Sequence, residues 1–359
     1  MSGNTQAVYL NTAGCGLIPE SVLQPGIDLY KNFESVSSAA SEHWRSVTYH
    51  EVKQTVAQFV GAGPANIALI PNCSWGINAV VQALQGDEKV LLYKKDFPSV
   101  YIPFVTNKFN IVWIDDEDGF IIDLEKILSI VKEENIQVVA ISHVQWQTGF
   151  MIDLQALCSN CRALGVHTII DATQSLGAVP LDVSVIRPDV LVASSYKWMN
   201  AGFGTGILYM DDAFLEKYPP VIAGAHSNAY AAYTGETAMG IGGYEPGGMN
   251  MFGLTILQKA ISLKLERGLE AIGKHNAALT ALLLDQLRAL PVQLVGSADG
   301  KNRSSIVVIV QEDGLAEHLA AYNIVTTVRN GHIRASMHMD NVAGDVEAFV
   351  AGIGSWTKP

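Results

Sequence analysis

His167-Thr168-Ile169-Ile170-Asp171-Ala172-Thr173-Gln174-Ser175-Leu176-Gly177 begins as a short apolar strand and ends in a polar cluster. Val190-Leu191-Val192-Ala193-Ser194-Ser195-Tyr196-Lys197-Trp198 has the same design. Upstream, apolar runs of strand length recur at residues 67–70, 90–93, 111–114 and 138–141. Segments with helical spacing lie between them, such as Leu124, Ile127, Leu128 and Val131, or Leu154, Leu157 and Cys161. A parallel sheet covered on both faces needs short, fully apolar strands separated by helices, so the expected class is α/β. After Lys197 the pattern changes. Residues 201–210 read as one more strand with a glycine-rich entry, and 219–250 are rich in Gly, Ala and Tyr without periodicity. Helices resume near Phe252, with Leu254, Leu257, Ile261 and Leu265 on one face, and continue through Leu279 to Leu287. The remainder alternates strands at 306–310 and near Val325 and Ile333 with helices at 315–321 and near Val346. This α+β tail predicts a large domain over residues 1–250 and a smaller one over 251–359.

Composition narrows the function classes. The 359 residues carry 23 Lys+Arg against 35 Asp+Glu, a net charge of −12, with 49% apolar and 16% charged residues. Such a chain builds a sizeable core and is not intrinsically disordered. It has no basic stripe with which to displace counterions, which argues against nucleic acid and anionic membranes as partners. Residues 1–6 are polar and carry no secretory signal pattern, and no apolar run approaches the roughly 18 residues of a membrane span. A cytoplasmic protein is therefore expected. Four cysteines in this length make no disulfide framework. Cys158-x-x-Cys161 spans one helical turn and no second pair accompanies it, so packing rather than zinc is the expected role and no metal is predicted.

Two strand ends that deliver polar clusters open onto one crevice in an α/β sheet. One supplies an acid, Asp171, and the other a lysine, Lys197. That pair is what pyridoxal phosphate (PLP) requires. The lysine makes a Schiff base, and the carboxylate keeps the pyridinium nitrogen protonated so that the ring acts as an electron sink. Gly202-Phe203-Gly204-Thr205-Gly206 lacks dinucleotide-loop spacing and reads as backbone geometry.

From Tyr9-Leu10-Asn11-Thr12-Ala13-Gly14 to Arg334-Ala335-Ser336, the order and spacing of these motifs resemble the class V aminotransferase family of fold-type I PLP enzymes. That group includes cysteine desulfurases, selenocysteine lyases, kynureninases and isopenicillin-epimerase-like proteins. The resemblance implies Lys197 as the Schiff-base lysine and α-proton carrier, Asp171 as the pyridinium partner and Gln174 as a donor to the cofactor 3′-oxygen. Asn72-Cys73-Ser74-Trp75-Gly76-Ile77-Asn78 matches the phosphate cup. It assigns Ser74 and the Cys73 and Ser74 amides to the phosphate at the start of a helix over 76–84. Ser194 and Tyr196 add phosphate contacts, and Phe97, in Asp96-Phe97-Pro98-Ser99, takes the place of the ring-stacking aromatic, with simple core packing as its alternative. Arg334 matches the clamp for the substrate carboxylate, and Arg329 competes with it for that role. Asn11, Trp146, Tyr230 and Tyr233 are candidate pocket residues. Trp146 stands where relatives often have Asn or Ser, with Gln145 as a substitute contact to the 3′-oxygen. The resemblance further implies a homodimer in which the Gly247-Gly248 loop of one copy reaches the phosphate of the other.

Several reactions at the α-carbon of a small amino acid fit this site. Transamination leads, a carbon–sulfur β-lyase acting on cysteine- or cystine-type substrates follows, and epimerase or kynureninase-like chemistry comes after. Desulfurases carry a nucleophilic cysteine on a loop between their last strands. Here Thr327-Val328-Arg329-Asn330-Gly331-His332-Ile333-Arg334 runs almost directly between strands, and no cysteine follows Cys161. A desulfurase forming a persulfide on that loop is not expected.

Overall fold

In the computed structural model, residues 7–225, 240–298, 300 and 302–356 are described, and Tyr230 and Tyr233 lie outside them. The strands are β1 (Val8–Tyr9), β2 (Ile67–Ile70), β3 (Lys89–Tyr93), β4 (Asn110–Ile114), β5 (Val138–Ser142) and β6 (His167–Asp171). They continue as β7 (Val190–Ser194), β8 (Gly206–Met210), β9 (Ile306–Val310), β10 (Ile324–Val325), β11 (Thr327–Arg329) and β12 (His332–Ser336). The first helices are α1 (Glu20–His43), α2 (Tyr49–Val60), α3 (Cys73–Ala83), α4 (Pro98–Thr106), α5 (Leu124–Glu133) and α6 (Leu154–Ala163). After them come α7 (Val183–Ile186), α8 (Asp212–Lys217), α9 (Met251–Arg267), α10 (Leu269–Leu287), α11 (Leu315–Ala321) and α12 (Ala343–Ser355).

Seven strands form the central sheet in the order β2-β8-β7-β6-β5-β3-β4. The pairings from β7 through β6, β5 and β3 to β4 are all parallel. β8 returns antiparallel to β7 because only residues 195–205, with no crossover helix, connect them, and β2 pairs antiparallel to β8 at the edge. Period-two alternation sorts each strand between two cores. Leu69, Leu91, Val139, Ile170 and Leu191 face the core built with α2, α6 and α9. Ile70, Leu92, Ala140, Ile169 and Val192 face the one built with α3, α4 and α8. Cys158 and Cys161 are buried in the first core, and no cluster of metal-ligating side chains occurs among the described residues.

A third core joins Leu10, the α10 residues Leu279 to Leu287, and the three-stranded antiparallel sheet β11-β12-β9. Helix α9 belongs elsewhere: Leu254, Leu257 and Ile261 pack in the first core. This helix, within the segment expected to form the smaller domain, thus packs with the central sheet's core, while α10 contributes to the third core. Residues Asn330 (φ 48) and Gly331 (φ 74) close β11 onto β12 as a two-residue turn with both residues left-handed. Asn-Gly is the pair that such a hairpin favours. Among the described residues, no helix is long and apolar enough to cross a membrane.

Helix α3 starts at Cys73, three residues before the expected start at Gly76, because the Asn72 side chain caps it by accepting from Trp75 N at 2.9 Å. Gly76 lets the helix lie close on the sheet, since an added Cβ would fall 2.6 Å from Ile70 Cδ1 and 2.8 Å from Val192 Cγ1. We expect Gly76→Ala to lower folding stability by about 1–3 kcal/mol through overpacking. It should also weaken PLP binding by lifting the helix start away from the cavity. Urea denaturation and a PLP absorbance titration measure the two effects.

Candidate active site

The carboxyl ends of β6 and β7 meet as adjacent parallel strands, with Asp171 opposite Val192. Lys197 follows β7 in a turn pinned by Ser195, whose hydroxyl meets Gly202 O at 3.0 Å and Thr205 O at 2.8 Å. The chain therefore brings an acid and an amine to one cavity of about 430 Å³. Asp171, Lys197, Gln174 and Phe97 line it, as do Cys73, Ser74, Ser194, Tyr196 and Trp146. The structure does not place Asn11, Arg334 or Gly248 on this wall.

Lys197 is 6% exposed, and no carboxylate lies within 4 Å of it among the described residues. Burial outweighs the attraction of Asp171 and pushes its ammonium down to about 8. An amine in that range has a sizeable neutral, nucleophilic fraction near neutral pH. Its Nζ stands 5.4 Å from the Phe97 ring centroid and 5.6 Å from that of Tyr196. Tyr196 in turn stacks on Phe203 at 4.4 Å. Asp171 accepts from Thr173 N at 2.8 Å. Gln174 has its carbonyl held by Trp198 Nε1 at 2.8 Å, while its amide donates to Ala13 O at 3.0 Å. One N–H of that amide remains free to serve a ligand in the cavity.

The anion cup differs in detail from expectation. Ser194 Oγ accepts from Cys73 N at 2.8 Å, so the Cys73 amide is already satisfied, while the Ser194 hydroxyl holds the helix start and keeps its own O–H to donate into the cavity it lines. Trp75 N is occupied by Asn72, which leaves the Ser74 amide as the first-turn donor without a protein acceptor among the described residues. Ser74 Oγ pairs with Ser99 Oγ at 2.6 Å, adding a hydroxyl that sequence reasoning did not single out. A helix start with a free N–H and two hydroxyls suits a phosphate. Acid, amine, aromatic face and anion cup together fit PLP: Lys197 and Asp171 would hold its reactive ends, Phe97 its face, and Ser74 with Ser99 its phosphate.

Arg334 is 2% exposed and reaches the site through Trp146, whose carbonyl accepts from Nη1 at 2.6 Å. Its Nε is buried without a partner, and burial together with Arg329 lowers its guanidinium to about 10. Trp146 packs edge-on against Phe97 at 5.6 Å, and its indole N–H is likewise unpartnered. Asn11 bridges to Ser336 and leaves Oδ1 unpaired. Gly248 lines the neighbouring cavity with Pro71 and Trp75.

These features agree with the relatives. The family described as Aminotransferase class-V matches residues 8–349. The chain belongs to the class-V aminotransferase family. It is accordingly a PLP-dependent enzyme. It is 25% identical to a probable cysteine desulfurase of Synechocystis, over 96% of this chain and 90% of that one. It is 24% identical to a cysteine desulfurase of Serratia proteamaculans, over 96% and 92%. A solved complex of the cystine C–S lyase C-DES with its product cysteine persulfide superposes with a TM-score of 0.87, at 20% identity and over 99% of both chains.

One residue of this class-V site went unnoticed in the sequence. Asp96 is 3% exposed and accepts from Phe97 N at 2.6 Å, Ser142 N at 2.8 Å and the Ser142 hydroxyl. It thereby ties the end of β5 to the start of α4, where Phe97 sits. Burial pushes its carboxyl up to about 6, above the ordinary 3.8. Between those values the folded chain holds a proton that the unfolded chain has released, so this group's contribution to stability falls as pH rises through that window. Asp96→Asn turns an NH2 toward backbone donors. We expect PLP affinity to drop about tenfold or more, one lost hydrogen bond to a charged acceptor being worth about 1.5–3 kcal/mol. The stability share described should disappear with it, as read by urea melts across the window.

Proposed function

We propose that this enzyme cleaves the carbon–sulfur bond of a cysteine- or cystine-type amino acid by β-elimination. The overall reaction consumes water and releases hydrogen sulfide from cysteine, or cysteine persulfide from cystine, together with pyruvate and ammonium. The observation that carries this reading is the two-residue Asn330-Gly331 turn, in a chain whose relatives bear the name cysteine desulfurase. Sulfur chemistry without a cysteine in that hairpin points to sulfur that leaves in a diffusible product. The two cysteines nearest Lys197 do not substitute for the missing one. Burial raises the Cys73 thiol well above its ordinary value and raises Cys15 as well, so both stay protonated and weakly nucleophilic.

Bound PLP supplies the electron sink that lets a bond to the α-carbon break heterolytically. Lys197 Nζ takes the α-proton, a task suited to a buried amine with a depressed pKa. Asp171 holds the proton on the ring nitrogen. Arg334, held by the Trp146 carbonyl, supplies the cation for the substrate carboxylate, and Trp146 and Phe97 line the cavity. Transamination, placed first on sequence alone, remains the second reading. The description of the matched family favours it, and the same lysine serves both reactions. A homodimer that brings the partner's Gly247-Gly248 loop to the phosphate belongs to this proposal, because in its own chain that loop is not part of the Lys197 cavity's lining.

The deciding experiment offers L-cystine and L-cysteine to the PLP-loaded enzyme. We expect sustained, equimolar pyruvate and ammonium, abolished by Lys197→Ala. Stoichiometric conversion of the cofactor to pyridoxamine phosphate by amino donors, with no pyruvate from cystine, would instead establish transamination.

A further inference from the structure

Lys264, on α9, is 0% exposed and takes no part in the site described above. Its Nζ donates to Asn200 Oδ1 at 2.9 Å and touches Met339 Sδ at 3.5 Å. No carboxylate lies within 4 Å of it among the described residues. An amine buried this deeply without an ion-pair partner is costly, and its one strong contact is unusually placed. Asn200 is three residues beyond Lys197 and closes the lysine's own turn, donating from its backbone N to Lys197 O at 3.1 Å. Its backbone is left-handed, at φ 59. Its Nδ2 donates to Leu17 O at 2.8 Å. Gly16 N reaches Tyr196 O at 2.8 Å, and a Cβ on Gly16 would fall 2.1 Å from Lys197 O. The turn carrying Lys197 is thus gripped from behind by the N-terminal segment and by Lys264, with Asn200 as the shared link.

We propose that Lys264 is a positioning residue for Lys197, acting through Asn200 to clamp the turn that aims the reactive amine into the cavity. The clamp consists of two hydrogen bonds from opposite sides of one side-chain amide. Lys264 supplies a donor to the carbonyl oxygen, which leaves the NH2 end no choice but Leu17 O. Withdrawal of Lys264 frees the amide to rotate and lets the turn part from residues 16–17. The groups facing Lys264 are Asn200 from the turn, His338, Met339 and Asp340 from the segment after β12, and Arg267 on its own helix. Burial, against the pull of Asp340, brings its ammonium down to about 7. The unfolded chain therefore holds a proton between about 7 and the ordinary 10.5 that the folded chain lacks. Over that window this group makes the folded chain more stable as pH rises.

The inference rests on Lys197 being the lysine that carries the cofactor, and Lys197→Ala tests that separately through loss of the lysine-linked absorbance. The experiment follows the absorbance of the PLP-loaded enzyme against pH in Lys264→Met, in Asn200→Gly and in the double variant. Glycine adopts the left-handed conformation freely, so Asn200→Gly removes the link without straining the turn. We expect each single variant to move the absorbance midpoint upward by about one unit, a tenfold change in proton affinity, as water reaches the loosened amine. The double variant should move it no further. Urea melts should show Lys264→Met folded, with the rise in stability above neutral pH diminished. An unchanged midpoint in Asn200→Gly, or additive shifts in the double variant, overturns the clamp. If Lys264→Met fails to fold, Asn200→Gly alone decides.

Discussion

The site depends on one register: β6 and β7 run parallel and adjacent, with Asp171 opposite Val192. Parallel strands end on the same side of a sheet, so whatever follows them shares one crevice. Asp171 is the last residue of its strand, while Lys197 lies three residues beyond β7 and needs a rigid turn to bring it back. Ser195 anchors that turn to Gly202 and Thr205, and Gly16 packs against its outer side. A slip of one residue in the register would move every core side chain of β7 to the wrong face, so the large core enforces the active-site geometry.

Desolvation is the second consequence. The same packing that aligns the strand ends removes water from Lys197, and the loss of hydration exceeds what Asp171 returns. An exposed lysine would stay protonated and idle at neutral pH. Asp96 shows the opposite sign of the same effect, since burial raises a carboxyl where it lowers an amine. In both cases the surrounding hydrogen bonds hold the geometry while burial adjusts proton affinity.

Which parts were legible in the sequence follows from this physics. Core strands such as 138–141 and 190–192 are continuous apolar runs, and their polar ends announce themselves by contrast. Asp171, Gln174 and Lys197 were readable for that reason. Helix α1 was not: among its residues only Val22 and Gly26 are buried, it carries Pro25, and it kinks at Val36, so no apolar stripe marks it. Helix α9 was visible as a helix, but its partner was not, because periodicity reports which face is buried and not against what. The satisfaction of Cys73 N by Ser194, and the tie from Asp96 to Ser142, are contacts across 121 and 46 residues. Contacts at that range have no local signature.

The hairpin at Asn330-Gly331 connects this geometry to chemistry. Arg334 sits on β12 opposite Thr327, and the tight turn holds β11 in an antiparallel ladder with β12, which pairs on its other side with β9. A longer connection would permit a mobile segment between these strands, whereas two left-handed residues leave no slack for one. Arg334 is therefore tied to Trp146, which itself packs on Phe97, so the hairpin is coupled to two rings that line the cavity although the arginine is not itself on that wall.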